Sequence, residues 1–259
     1  IDAFGVRISA TEVPLRIADE SAVAKLAATA NGGQLNLEPK IDLRKEPYML
    51  SLPPDSTILK DVEITDAMAE GLLSKIHPVF QGSVQAEGHV DLHMQHFNWP
   101  LDKKDRDKAA FAGTLRLKGV RVNSTNLLSG LLELVGVRGN QMDFGDLDID
   151  FVARNGRIET SPIRLEIDGY PIELRGSVGF DKSLDYMAKL PITPKLVGKK
   201  AYRYLEGVTI DVPIRGNSST PDIDESTMQK ATASLAEQAL QKSLEKGVQN
   251  LFEQILKKK

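Results

Sequence analysis

The chain has 259 residues, 41% hydrophobic and 27% charged, with a net charge of −3, the composition of a globular protein and not of a disordered one. The near-neutral balance and the 5% aromatic content give no reason to expect nucleic acid, which calls for basic stripes or stacking platforms. The absence of cysteine excludes disulfide scaffolds, thiol catalysis and zinc–thiolate sites, and no apolar run is long enough to span a bilayer as a helix.

The opening segments Phe4–Ile8 and Val13–Ile17 read as two short strands. Ser21 to Ala30 is alanine-rich and followed by Asn31-Gly32-Gly33. Local propensity favours a helix with an Asn/Gly stop. A strand running into a tight Asn-Gly hairpin turn, with Leu35 and Leu37 on the return, fits the neighbouring pattern better. Ile41, Leu43, Met49, Leu50 and Leu52 continue the sheet up to Pro53-Pro54. Thr65 or Asp66 caps a predicted helix from Ala67 to Ile76, whose stripe is Met68, Leu72 and Ile76, and Pro78 stops it.

The clearest strand follows. Val84, Ala86, Gly88, Val90, Leu92 and Met94 fall on one parity, and Gln85, Glu87, His89, Asp91 and His93 on the other. A period of two sends the two sets to opposite faces of a strand. The charged run Asp102–Lys108 is expected to be a solvated loop. Phe111–Lys118 is a strand, and Ser124 or Thr125 caps a leucine-rich helix, Asn126–Val135, that is too apolar to lie free in water. Alternation then predicts strands at Asp146–Val152, Gly156–Thr160, Ile163–Ile167, Ile172–Phe180 and Leu184–Ile192, with tight turns at Asn155-Gly156 and Asp168-Gly169. A short helix, Lys195–Leu205, and a last strand, Val208–Ile214, complete the pattern. The fold class is therefore mainly β: a long antiparallel sheet with one apolar and one polar face and a few short helices.

From Asp224 the character changes. Glu225 to Leu256 contains no proline and one glycine, and reads as a long amphipathic helix of about 48 Å at ~1.5 Å per residue. Leu240, Leu244, Val248, Leu251, Phe252 and Ile255 form its apolar stripe. Its first half has a weaker stripe pointing elsewhere, so a bend or two pieces fit as well. The division expected is a β domain over 1–223 and this helix over 224–259. The helix packs on its own domain, covers an apolar groove, lies on a membrane surface, or pairs with a partner helix.

Sites of chemistry are sparse. His89, Asp91 and His93 share a strand face at a spacing that two or three zinc ligands could use, with His96 nearby. No flanking metal motif supports them, and the polar face of an amphipathic strand accounts for them. Asp146, Asp148 and Asp150 alternate with Leu147, Ile149 and Phe151 as polar-face residues should. Asp222, Asp224 and Glu225 suit a helix start. There is no nucleophile elbow, P-loop or dinucleotide fingerprint. No catalytic residue, metal or cofactor is expected, and the chain is read as a non-enzyme.

The informative feature is the apolar face itself. It is either a plain core, packed in a sandwich or closed barrel, or an open curved surface that accommodates acyl chains; the period cannot separate these. Its lining is Leu35, Leu37, Val90, Leu92, Met94, Leu115, Leu117, Leu147, Ile149, Phe151, Ile163, Leu165, Ile167, Leu174, Val178, Leu184, Tyr186, Val208, Ile210 and Val212.

The order of features from about Leu35 to Asp224 resembles the C-terminal region of the AsmA family, relatives of TamB and other bridge-like lipid-transfer proteins. The residues that carry it are the hairpin Asn31-Gly32-Gly33-Gln34-Leu35-Asn36-Leu37-Glu38-Pro39, then Leu72-Leu73-Ser74-Lys75-Ile76-His77-Pro78 through Gly82–Gly88, and Gly113-Thr114-Leu115-Arg116-Leu117 before the leucine-rich helix. Leu174–Phe180, Leu184-Asp185-Tyr186, Val212–Asn217 and Pro221 close it. The likeness is one of strand–glycine rhythm across three quarters of the chain.

The resemblance implies a taco- or U-shaped sheet with a hydrophobic groove. It implies a periplasmic protein of a diderm bacterium, anchored in the inner membrane by an N-terminal helix that this sequence, beginning at Ile1, does not contain. It also implies a role in binding or moving phospholipid between membranes and supporting outer-membrane assembly. Phospholipid or another acyl-chain lipid is the expected partner, with a membrane surface or an envelope protein besides. The competing expectation is a structural or assembly scaffold of the envelope or of a secretion system, with a filled core and a protein partner.

Overall fold

The computed structural model describes residues 2–9, 12–44, 46–123, 126–136, 141–167, 170–224, 226, 229–235 and 237. A short hairpin of β1 (Asp2–Ala3) and β2 (Val6–Arg7) forms a separate two-stranded sheet. The other described strands form one fifteen-stranded antiparallel sheet. They are β3 (Leu15–Ala18), β4 (Ser21–Ala24), β5 (Leu26–Ala30), β6 (Gly33–Leu37), β7 (Lys40–Asp42), β8 (Met49–Ser51), β9 (Ser56–Glu63), β10 (Val84–Pro100), β11 (Ala110–Asn123), β12 (Gln141–Arg154), β13 (Arg157–Ile167), β14 (Tyr170–Gly179), β15 (Leu184–Pro191), β16 (Thr209–Asn217) and β17 (Thr220–Ile223).

The topology is a meander. From β10 to β17 each strand pairs with its sequence neighbour. The shorter strands before β10 are broken arms of the same path. β4 and β5 share one register with β7 and β6, running Ser21↔Asp42, Val23↔Lys40, Leu26↔Leu37 and Ala30↔Gly33. Pro53-Pro54, which cannot donate to a ladder, separates β8 from β9, and both lie along the same edge of β10. Positive φ at Asn31 and Gly32, and again at Asn155 and Gly156, gives the paired left-handed conformation that a two-residue hairpin turn requires.

The helices gather at one end. A meander puts alternate connections at opposite ends of the sheet. On one side lie the short links β12–β13, β14–β15 and β16–β17 and the 3-10 turn Lys103–Lys108. On the other lie an insert between β9 and β10, α3 (Asn126–Val135), α4 (Pro194–Leu205) and the helical residues after β17. The insert consists of α1 (Asp66–Met68), a π-helical turn Ala69–Leu73, α2 (Ser74–Ile76) and a 3-10 turn Pro78–Phe80. The Thr65 side chain accepts from the Met68 N–H at 3.2 Å and caps it.

Several expectations are corrected. The first expected strand, Phe4–Ile8, is a hairpin whose Phe4-Gly5 turn joins β1 and β2, and the second, Val13–Ile17, begins later as β3. Asp102–Lys108 is exposed as expected apart from Asp105, but it forms a capped 3-10 turn: Asp102 accepts from the Lys104 N–H, and Asp105 is buried against the Lys108 ammonium at 2.6 Å. Gly156–Thr160 and Ile163–Ile167 form one strand, β13, with a register shift where Pro162 interrupts the ladder. The last strand is two, β16 and β17, so Asp222 lies opposite Arg215 in a strand and does not begin a helix. After Asp224 the described residues 226, 229–235 and 237 are helical. The stripe Leu240, Leu244, Val248, Leu251, Phe252 and Ile255, the cap at Ser124 or Thr125 and the turn at Asp168-Gly169 lie outside the described residues.

Candidate functional site

The registers align the apolar parity into rows that cross the sheet. Leu35, Leu59, Leu92, Leu115 and Ile149 lie directly opposite one another from β6 to β12. A second row runs Met94, Gly113, Phe151, Thr160, Gly176, Tyr186, Ile214 and Ile223 from β10 to β17. Of the twenty lining residues read from the sequence, Leu37, Leu147 and Val208 are half-buried and the side chain of Ile167 lies outside the described ones. All the others are buried in one continuous cluster.

Helical pieces cover these rows, among them α4 through Ala201 and Leu205. The insert places Met68, Ala69, Leu73, Ile76, Val79 and Phe80 in the cluster, and α3 adds Leu127, Leu131 and Leu132. Phe80 reaches Phe144 of β12 at 5.4 Å between ring centroids, and His77 stands edge-on to Tyr186 of β15 at 5.0 Å. At the hairpin end the cover is aromatic. Trp99 of β10 lies 5.4 Å from Phe180, which directly follows β14, and Phe111 of β11 lies 6.2 Å from it. Four strand spacings would hold β10 and β14 ~19 Å apart in a flat sheet. The sheet therefore bends toward its apolar side until its own side chains meet across it.

Among the described residues the cover stops at the first strands. Ile17, Ala22, Ile41, Leu50 and Trp99 are successive register partners from β3 through β4, β7 and β8 to β10. Trp99, Leu50, Ile41 and Ala22 are half-buried, while Ile17 is 68% exposed. Leu15 of β3 is 64% exposed, and Leu43, which directly follows β7, is 41% exposed. One apolar row thus runs from the packed centre out into water.

The polar face is closed by its own charges. Arg116 donates to both oxygens of Asp148 at 2.9 and 3.0 Å, and Arg121 pairs with Asp143 and Glu87. Thr114 donates to Asp150 at 2.6 Å, and Asp146 accepts from the Gly119 N–H at 2.9 Å. The residues first weighed as ligands are absorbed into this pattern. Asp91 accepts from Lys118 at 2.8 Å and from the Asp61 N–H at 2.6 Å, which holds its carboxyl below the usual range against the opposing effect of partial burial. His93 faces Thr57 and Asp55, and a register shift separates His96 from it. Among the described residues no group of three or more His, Asp or Glu side chains gathers at one point.

The sequence reading missed two features. His77 appeared only as part of a helix end, yet it is fully buried on the apolar face; the histidine beside Pro78 was the available signal. The cluster Phe97, Trp99, Phe111 and Phe180 needs a flip of strand parity, because the shift between Met94 and His96 turns Phe97 and Trp99 onto the side that Met94 faces. No helix among the described residues is long and apolar enough to cross a membrane. No protein-family model, curated protein or solved structure matches the chain.

Proposed function

We propose that this chain is a non-enzymatic lipid-handling protein of the bacterial envelope, in which the apolar sheet face binds phospholipid acyl chains and passes them between membranes during outer-membrane assembly. The observation that carries the reading is the continuation of that face over β3, β4, β7 and β8 with no cover from the described residues, where Ile17 and Leu15 stand in water. Exposed contiguous apolar surface marks a binding site more often than it marks an idle one. A sixteen-carbon tail laid along it gains on the order of 10 kcal/mol at ~0.8 kcal/mol per buried CH₂, enough to offset much of the cost of leaving a bilayer without a chemical step. The packed centre under the insert and α3 confines the tail to the first strands.

Trp99 is the only tryptophan in the chain and sits where the row begins to emerge, so it reports occupancy. Phospholipids brominated on their acyl chains are expected to quench its fluorescence, and Ile17→Asp with Leu43→Asp is expected to abolish the quenching in a protein that still folds. Absence of quenching in the unsubstituted protein, together with no co-purifying phospholipid by native mass spectrometry, would overturn the reading. The filled centre favours a second one, an envelope or secretion-system scaffold. In that case the same two substitutions release a cross-linked protein partner and brominated lipid has no effect.

A further inference from the structure

Many cations on the sheet are paired with neighbours: Arg116 with Asp148, Arg164 with Glu173, Arg175 with Asp211 and Arg215 with Asp185. α4 instead gathers several cations in one short stretch. Lys195, Lys199, Lys200 and Arg203 fall within nine residues of one another and are all exposed. Lys195 donates to the Glu133 carbonyl at 2.9 Å, at the end of α3. Lys199, Lys200 and Arg203 form no ion pair with a described carboxylate; Glu206 is the one acidic residue that follows them closely. The underside of α4 is fixed, since Ala201 and Leu205 are buried and Leu196, Val197 and Tyr202 pack on the core.

Two further observations give the patch a direction. Gly198, at φ +79°, interrupts the helix, and a Cβ built there would meet nothing within 4 Å. The elbow beside Lys199 and Lys200 is therefore open to solvent at Gly198. Tyr204, 41% exposed, places an aromatic ring with a polar tip beside the cations, the combination favoured at a membrane–water boundary. The chain as a whole carries −3, so attraction to an anionic surface has to come from local cationic patches, and this one joins unpaired cations to an exposed aromatic ring.

We propose that α4 docks on the anionic phospholipid headgroups of a bilayer surface, setting the helical end of the sheet against the membrane. The proposal goes beyond acyl-chain binding and stands without it. Each cation near such a surface strengthens binding ~5-fold, and the attraction falls off within a Debye length of ~8 Å at physiological salt.

The test is co-sedimentation of the full chain with vesicles of phosphatidylcholine, with and without phosphatidylglycerol. Binding is expected only with phosphatidylglycerol and is expected to weaken as salt rises. Lys199→Ser, Lys200→Ser and Arg203→Ser together should lower it on the order of 100-fold. Lys40→Ser, Lys60→Ser and Lys103→Ser remove the same charge from exposed positions elsewhere and should leave it unchanged. Ile17→Asp with Leu43→Asp should also leave it unchanged, which separates docking from acyl-chain binding. Equal binding to pure phosphatidylcholine, no binding to either vesicle, equal loss in both lysine-depleted variants, or tighter binding to a DNA duplex than to the vesicles would each overturn the proposal.

Discussion

His77 links a single side chain to the stability of the whole apolar face. Its Nδ1 accepts from the Val79 N–H at 3.1 Å, so the neutral ring carries its proton on Nε2. That atom is buried with no hydrogen-bond partner among the described residues. Burial pushes its pKa from 6.5 down to about 3. The unfolded chain therefore takes up a proton near pH 6.5 that the folded chain refuses until about pH 3. Stability from this residue is fully present above pH 6.5 and is lost as the pH falls through that window. Denaturant midpoints compared at pH 6.5 and 5 should reveal a loss of about 2 kcal/mol, and His77→Asn, which keeps a capping acceptor, should remove most of that slope. The sequence displayed a histidine before a proline; its isolation follows from Tyr186, which is distant in the chain and edge-on in space. Burial raises the Tyr186 phenol for the same reason.

Within the elements, the insert explains where helical periodicity succeeds and where it slips. Spacing predicts Met68, Leu72 and Ile76 as one stripe, and Met68 and Ile76 are indeed buried. The π-helical turn Ala69–Leu73 adds a residue to the cycle. It turns Leu73 inward to full burial and leaves Leu72 half-buried. Leu73→Ala should therefore cost about 2–5 kcal/mol, as a buried leucine does, and Leu72→Ala clearly less, by chemical denaturation. The extra residue is matched by close packing from outside. A Cβ at Gly71 would lie 2.4 Å from the Phe4 carbonyl oxygen and one at Gly5 2.0 Å from that of Ala67, so the β1–β2 hairpin rests directly on the insert. Neither the phase shift nor this approach is encoded in a local window.

At the scale of the molecule, the polar and apolar faces are written in the chain and their covering is not. Alternation correctly assigns Val90, Leu92, Met94, Leu115, Leu117, Ile149 and Phe151 to the buried side. Val84, on the same parity, is 51% exposed, and two register shifts, at Glu87 and His89, separate it from Val90. Burial declines from the centre of the sheet toward β3, and opening energies follow buried apolar packing. Native-state hydrogen exchange should accordingly be slowest in β10, β11 and β14–β16 and fastest in β3 and β4; uniform protection would contradict this. The sequence by itself determined the period of two, the Asn-Gly turns at Asn31 and Asn155 and which side chains avoid water, since these are short-range consequences of strand geometry. Only the tertiary structure decided how far the sheet bends, that residues 66–80 and α3 fill its centre, and that the same row lies bare at Ile17. A pleated strand fixes the side to which a residue points, but what meets it there comes from far along the chain.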